Sequence, residues 1–77
     1  MTTEEKLRTI VADQLMVDTS DVTENANLVE DLGADSLDKV ELTILIEEGF
    51  DIEIADEDAE KWKTYGDVLA YVKTRMA

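Results

Sequence analysis

The chain has 77 residues, of which 20 are Asp or Glu and 7 are Lys or Arg, so its formal net charge is -13. This charge excludes tight binding to DNA, RNA or an anionic membrane surface, because such binding depends on Lys and Arg displacing counterions. The absence of Cys and His excludes disulfides, thiolate or His-bound metal sites and His-based catalysis. We expect one domain over residues 1–77, with one small core and no elaborate catalytic cleft.

Hydropathy along the chain indicates a folded protein that does not enter a membrane. Apolar residues make up 44% of the chain, which is too many for a disordered acidic tail. No apolar run approaches the ~18 residues of a membrane-spanning helix, and no basic start precedes an apolar stretch, so we expect a cytoplasmic location. The charge is concentrated, because residues 9–60 hold 17 acidic residues against Lys39 alone, a net charge of -16.

The first predicted element is an amphipathic helix over residues 3–16. Thr2 or Thr3 can serve as its N-cap, and acidic residues follow in its first turn. Its apolar residues recur at helical spacing and are Leu7, Ile10, Val11 and Leu15.

Periodicity then fails over residues 17–35, where turn and cap formers predict a long loop anchored by Val22, Leu28 and Leu32. A loop of this length indicates either a functional segment or an unrecognised short helical turn.

The second predicted helix begins at Asp35 and Ser36 and runs to about Glu48, with Gly49 as its expected end. One of its faces is apolar and is predicted to join the core: Leu42, Leu45, Ile46 and Phe50. A second apolar stripe lies on a different side and consists of Leu37, Val40 and Ile44, edged by Glu41, Glu47 and Glu48. Either this helix is buried on both sides, or the stripe is a docking surface whose carboxylates orient a basic partner.

The remainder of the chain predicts two further helices. Residues 51–53 are expected to be extended, and residues 55–61 to form one or two acidic helical turns. Trp62 is expected in the core. A last helix over residues 64–75 has apolar residues at core spacing: Val68, Leu69, Val72 and Met76. The predicted fold is all-α, a small four-helix bundle with three main helices, one short helix and a long first loop.

The segment that most needs a chemical explanation is Asp35-Ser36-Leu37, where the long loop meets the second helix. A serine at a helix start lies near free backbone N–H groups and the positive end of the helix dipole, which favours a phosphate attached there. The alternative is that Asp35 or Ser36 is only an N-cap. Because the chain has no general base to activate the serine, a separate enzyme would have to modify it.

Residues 30–50 resemble the acyl carrier proteins, most closely the discrete carriers of bacterial type II fatty-acid synthesis. The resemblance begins with Asp-Leu-Gly-Ala-Asp-Ser-Leu-Asp at residues 31–38. It continues at the family's spacing through Val40-Glu41-Leu42, Glu47-Glu48, Phe50, Glu53-Ile54 and residues 56–61. It extends over nearly the whole chain, which also has the size, acidity and helix order of that family.

The resemblance implies that Ser36 carries 4'-phosphopantetheine through a phosphodiester, added from coenzyme A by a holo-acyl-carrier-protein synthase. The thiol of this covalent cofactor would hold acyl chains as thioesters and pass them between enzymes of fatty-acid biosynthesis. The chain itself would be a monomeric, non-catalytic carrier, and catalysis would belong to its partners. A chain without Cys or His is compatible with this role, because the cofactor supplies the thiol.

The resemblance also implies that the second helix is recognised by basic patches on the synthase and on the enzymes of fatty-acid synthesis. We expect the docking residues to be Asp35, Leu37, Asp38, Val40, Glu41, Ile44, Glu47 and Glu48, with Glu53 and Asp56 as weaker candidates. An acyl chain is expected to slip between the helices. Within this class, a dedicated carrier for a polyketide or another specialised pathway is the alternative.

Four positions depart from the family's pattern: Lys39, Gly49, Ala55 and Trp62. Of these, Lys39 places a positive charge beside the serine, where similar carriers often have an uncharged residue. Outside the carrier class, the dense acids suit an acidic protein-binding regulator, a nucleic-acid mimic or a cation-binding regulator. Residues 51–60 lack the central glycine and ligand spacing of a calcium loop, so we expect no specific metal site and only diffuse Mg2+ or Ca2+ binding.

Added salt is expected to stabilise this protein. The excess of carboxylates in residues 9–60 repels itself in the folded state, and dissolved ions screen that repulsion. The melting temperature should therefore rise when Mg2+ or a monovalent salt is added. A flat response would mean that the acids are better paired than the sequence indicates.

Overall fold

Four α-helices and one 3-10 turn follow one another in the computed structural model, which describes residues 2–76. Their bounds are α1 Thr3–Leu15, the 3-10 turn Thr19–Asp21, α2 Ser36–Phe50, α3 Asp56–Ala59 and α4 Tyr65–Met76. Over the described residues there is one isolated β-bridge and no strand. The predicted all-α fold, with three main helices and one short one, is confirmed.

Helix α1 begins and ends at clearly defined caps. Thr2 is the N-cap, and its hydroxyl accepts a hydrogen bond from Glu5 N (3.1 Å) while the Glu5 carboxylate accepts one from Thr2 N (3.4 Å). Met16 adopts a left-handed conformation (φ 58°) and ends the helix one residue earlier than predicted. Of the apolar residues predicted at helical spacing, Leu7 and Val11 are fully buried, and Ile10 and Leu15 are half-buried.

The long loop before α2 is ordered by backbone hydrogen bonds to the segment that leads into α4. Leu28 N donates to Lys63 O (2.9 Å), Tyr65 N to Ala26 O (3.0 Å), and Gly66 N to Glu24 O (3.0 Å). A Cβ at Gly66 would lie 2.8 Å from Glu24 O, so only glycine allows this approach. The predicted anchors Val22, Leu28 and Leu32 are buried, and the loop also contains the 3-10 turn, so the unrecognised helical turn is present.

Helix α2 extends past Gly49, so the predicted end at that residue is wrong. Asp51 adopts the left-handed conformation (φ 55°) and forms the C-cap, with its N–H donating to Glu47 O. The sequence predicts an extended conformation for Asp51, and this prediction is wrong. Gly49 instead faces α1, where an added Cβ would lie 3.0 Å from Ile10 Cδ1. From α1, the Lys6 ammonium donates to the Gly49 carbonyl and lies 5.1 Å from the centre of the Phe50 ring.

The core brings together the inner faces of the three main helices and the loop anchors. Tyr65, Val68, Leu69 and Val72 of α4 are buried, and the predicted burial of Trp62 is confirmed. Two predicted core residues lie outside it. Leu45 is 39% exposed because it lies at the edge of the face formed by Leu42, Ile46 and Phe50. Met76 is 47% exposed because it lies one turn beyond Val72, the last core residue of α4.

The acidic residues are almost without cationic partners. Within residues 2–76, one ion pair is formed, between Arg8 and Glu4 of α1 (3.1 Å). Exposed pairs of this kind contribute little to stability. No helix in the described part of the chain is long and apolar enough to cross a membrane.

The start of α4 is held by Asp67. Its carboxylate accepts hydrogen bonds from the backbone N–H groups of Lys63 (2.9 Å) and Thr64 (3.1 Å), and Asp67 N donates to the Thr64 hydroxyl (3.3 Å). These N–H groups, that of Lys63 first, hold the pKa of Asp67 below its ordinary value. The same segment pairs with the long loop, so Asp67 stabilises both the helix start and the loop contact.

We expect Asp67→Asn to lower the free energy of unfolding at pH 7 by about 0.5 kcal/mol, the usual contribution of a negative charge at an exposed helix start, because Asn keeps an acceptor oxygen and loses only the charge. The charged carboxylate is favoured in the folded state, so its contribution is complete above the ordinary Asp pKa of about 3.9 and is lost as pH falls through the lower folded-state value. The difference between wild type and variant should therefore shrink from pH 7 to pH 3 in urea titrations.

Asp13→Asn is the matched control, because Asp13 is exposed on α1 and its substitution removes the same charge without a cap. If Asp67→Asn and Asp13→Asn have equal effects at both pH values, the proposed stabilisation of the helix start by the Asp67 charge is wrong.

Candidate functional site

Ser36 is the first residue of α2, and the capping of this helix does not use it. Asp35 is the N-cap: its carboxylate accepts a hydrogen bond from Asp38 N (2.8 Å), and the Asp38 carboxylate accepts one from Asp35 N (3.1 Å). The Ser36 side chain is exposed, and its hydroxyl makes no hydrogen bond within residues 2–76. The hydroxyl is therefore free for chemistry, and the interpretation of Ser36 as an ordinary N-cap is wrong.

The loop just before Ser36 is held by backbone hydrogen bonds and buried side chains. Ala34 is buried and its N–H donates to Leu28 O (2.8 Å), and buried Leu32 donates to Asn27 O (3.0 Å). Between them Gly33 adopts a positive φ of 75°, which glycine accommodates without strain. The Asn27 side chain accepts hydrogen bonds from two backbone N–H groups further along the loop. Ser36 therefore projects from a fixed backbone.

A groove of about 600 Å³ opens beside Ser36, between α2 and α3. Its α2 wall consists of Ser36, Lys39, Val40, Thr43, Ile44 and Glu47, and its α3 wall of Asp56, Ala59 and Glu60. The groove combines aliphatic side chains with one cation near Ser36 and three carboxylates. Of the two cavities described for this chain, only this one is lined by Ser36.

The second apolar stripe of α2 lies on the surface. Leu37 is 64% exposed, Val40 57% and Ile44 47%, so α2 is not buried on both sides. We call these three residues the apolar stripe. Partly exposed Leu45 adds further apolar surface to the same helix. Large exposed aliphatic residues grouped on one helix, next to carboxylates, are typical of a protein-binding surface.

Four of the acids predicted to dock partners also make hydrogen bonds inside the protein. Asp35 and Asp38 form the cap of α2. The side-chain amide of Gln14 on α1 donates to Glu41 (2.7 Å) and to Asp38 (3.3 Å). Glu47 accepts a hydrogen bond from Ile54 N (2.8 Å) and so ties the segment before α3 to α2.

The other predicted acids are more accessible. Glu48, Glu53 and Asp56 are exposed, and their carboxylates make no hydrogen bond with residues 2–76. Over the same residues, no group of three or more possible ligands has the geometry to hold a metal ion. The structure thus divides the predicted acids into those that also support the fold and those that are exposed and make no such hydrogen bond.

Gln14 is the residue of this site that sequence reasoning missed. It lies on α1, far from Ser36 in the chain, and reaches α2 only through tertiary packing. One signal was present: Gln14 continues the helical spacing of Leu7 and Val11, so it is a polar residue on an otherwise apolar stripe. That pattern indicates contact with another element but not which one.

The chain matches a protein family described as phosphopantetheine attachment site over residues 5–72. The matched range includes Ser36, the long loop and the three main helices almost entirely.

Relatives match over most or nearly all of their length. The chain is 53% identical to an acyl carrier protein of Chlamydia felis over 76 residues, which cover 99% of this chain and 97% of the relative. It is 56% identical to an acyl carrier protein of Akkermansia muciniphila over 70 residues, which cover 91% and 88%. A solved structure from Mycobacterium tuberculosis, described as an acyl carrier protein, superposes with a TM-score of 0.90 at 38% identity and covers 96% of this chain and 99% of that one.

Proposed function

The chain belongs to the acyl carrier protein family, a family of non-catalytic carriers with a phosphopantetheine attachment domain, and on this premise we propose that Ser36 is the attachment residue. In this reaction the Ser36 oxygen attacks the phosphorus of coenzyme A that bears the pantetheine. The bond from that phosphorus to the bridging oxygen of the diphosphate breaks, and adenosine 3',5'-bisphosphate leaves. The serine proton passes to a base of the transferase, because this chain supplies none.

The observation that carries this proposal is the free hydroxyl of Ser36 at the start of α2. Asp35 performs the capping, so modification of Ser36 costs the helix none of its cap hydrogen bonds. A phosphodiester there lies close to the first N–H groups of α2 and to the positive end of its dipole. The neighbouring carboxylates oppose this attraction. The N–H groups and dipole at the start of α2 are therefore the interactions that favour a phosphodiester at Ser36.

The thiol of the attached group would be the only thiol in the protein, because the chain has no Cys. We propose that it carries acyl intermediates of fatty-acid biosynthesis as thioesters, in the cytoplasm, where coenzyme A is available. The resemblance of residues 30–50 to the discrete fatty-acid carriers supports this pathway over a polyketide or other specialised one. Mass spectrometry of the thioester on the native protein would distinguish these pathways by the acyl group found.

Incubation with coenzyme A and a phosphopantetheinyl transferase is expected to add one arm to the wild-type protein and none to Ser36→Ala. Intact mass spectrometry measures the addition, and circular dichroism checks that the variant remains helical. Ser20→Ala is the matched control, since Ser20 is the only other serine and is also exposed. An unmodified wild type, or modified Ser36→Ala, would contradict the proposal.

The partner surface we propose combines the apolar stripe with the freely exposed carboxylates around it. Apolar contacts would supply affinity, and the carboxylates would attract and orient enzymes with basic patches. Among these carboxylates, that of Glu48 is the strongest candidate for docking, because it is exposed and makes no hydrogen bond with residues 2–76. Asp35, Asp38, Glu41 and Glu47 would serve the fold and the partner together. A net charge of -13 disfavours self-association, so we propose a monomer.

Glu48→Lys should lower kcat/KM for arm transfer by roughly fivefold, equivalent to about 1 kcal/mol of lost attraction. Its melting temperature should not fall, because no intramolecular bond is lost. Glu41→Lys should lower kcat/KM similarly and also destabilise the fold slightly, since it removes the Gln14 contact.

The control is Asp18→Lys, which makes the same charge change at an exposed position before the 3-10 turn. Equal rates for Glu48→Lys and wild type, at low salt where the attraction is strongest, would count against Glu48 in the docking surface.

A further inference from the structure

Lys39 is the one basic residue between positions 9 and 60 of the sequence, and it lies one helical turn after Ser36 on α2. Residues three apart on a helix are surface neighbours, with Cβ atoms about 5–6 Å apart. The four-carbon stem of lysine spans such a distance easily and lets the ammonium adapt its position. A group attached to the Ser36 oxygen would therefore be within reach of the Lys39 ammonium.

The Lys39 ammonium makes no ion pair with residues 2–76. The side chain is half-buried and lines the groove that also contains Ser36. Although the groove contains the carboxylates of Glu47, Asp56 and Glu60, the single ion pair among residues 2–76 is that of Arg8 with Glu4. The Lys39 ammonium therefore has no carboxylate of these residues within ion-pair distance, and an anion placed beside Ser36 would give it a partner.

We propose that Lys39 binds the phosphodiester of the arm on Ser36 and so holds the first part of the arm along the groove between α2 and α3. The inference rests on the proposed attachment at Ser36. A phosphodiester there would otherwise face the carboxylates of Asp35 and Asp38, and Lys39 offsets this repulsion. Lys39 is thus a positioning residue: it takes no part in forming the thioester and sets where the arm lies.

This arrangement couples partner docking to the position of the arm. A basic surface that approaches the apolar stripe brings cations close to Ser36 and competes with Lys39 for the same phosphodiester. The arm would then leave the groove when the enzyme binds. Because the contact is an exposed ion pair, its strength is modest and falls with salt, so the arm exchanges readily between groove and solvent.

The experiment compares the loaded wild-type protein with Lys39→Gln, Lys39→Arg and Lys73→Gln. Lys73 is exposed on α4, so its substitution removes the same charge away from the groove. Intact mass first establishes that each protein carries one arm. The 31P resonance of the single phosphodiester is then recorded from low to high salt, together with NOEs from the Lys39 Cε protons to the arm methylene next to the phosphate.

In the wild type we expect these NOEs and a 31P shift that moves with salt. At low salt, the 31P chemical shift of Lys39→Gln should equal the shift that the wild type reaches at high salt. The fraction of molecules with the arm held in the groove should fall roughly two- to fivefold. Lys39→Arg should retain the salt response, and Lys73→Gln should match the wild type.

Absence of the NOEs, or the same 31P salt response in Lys39→Gln and wild type, would overturn the role of Lys39 while leaving the arm on Ser36. If intact mass shows no arm in the wild type, or an arm on another residue, attachment at Ser36 and the role of Lys39 are both overturned. The two failures are thus distinguished by the mass measurement.

Discussion

The reciprocal capping of α2 by Asp35 and Asp38 is the interaction on which the functional face of this protein depends. It determines that the helix begins at Ser36, and it satisfies the cap without the serine hydroxyl. It also orients Asp38 so that its carboxylate meets the Gln14 amide of α1. One cap therefore fixes the start of α2, leaves the Ser36 hydroxyl exposed and joins α2 to α1.

Negative charge has two different uses along α2. Some carboxylates accept hydrogen bonds from the protein itself: Asp35 and Asp38 at the cap, Glu41 from Gln14 and Glu47 from Ile54 N. Others, such as Glu48, are directed at solvent. Since the described residues contain one ion pair, little of this charge is neutralised internally, and the repulsion is offset by burial of the apolar faces. The folded carrier is thus held together by its core while its surface keeps most of its negative charge unpaired.

Much of this molecule could be predicted from sequence because its helices are strongly periodic and well capped. The apolar stripe was visible as a pattern, but its exposure depended on whether another element covered it. Gly49 looked like a helix end by its residue type, yet Asp51 takes the left-handed cap and Gly49 makes room for Ile10. The sequence predicts a core position for Leu45, but this residue lies near the boundary of the buried face, where angle alone does not decide burial. The contacts of Gln14 and Glu47 are not visible in the sequence, because their partners are distant in the chain or on the backbone.

The sequence by itself determined the helical class, the helix that follows Ser36, the concentration of charge around it and the family, because all four depend on local spacing and residue type. Only the tertiary structure decided which face of α2 is open, which carboxylates are free, and that Lys39 and Ser36 line one groove. The physical reason is that exposure and pairing depend on what packs against a side chain. For the side chains of α2 those neighbours include α1 and α3, which are far from α2 along the chain or separated from it by a turn.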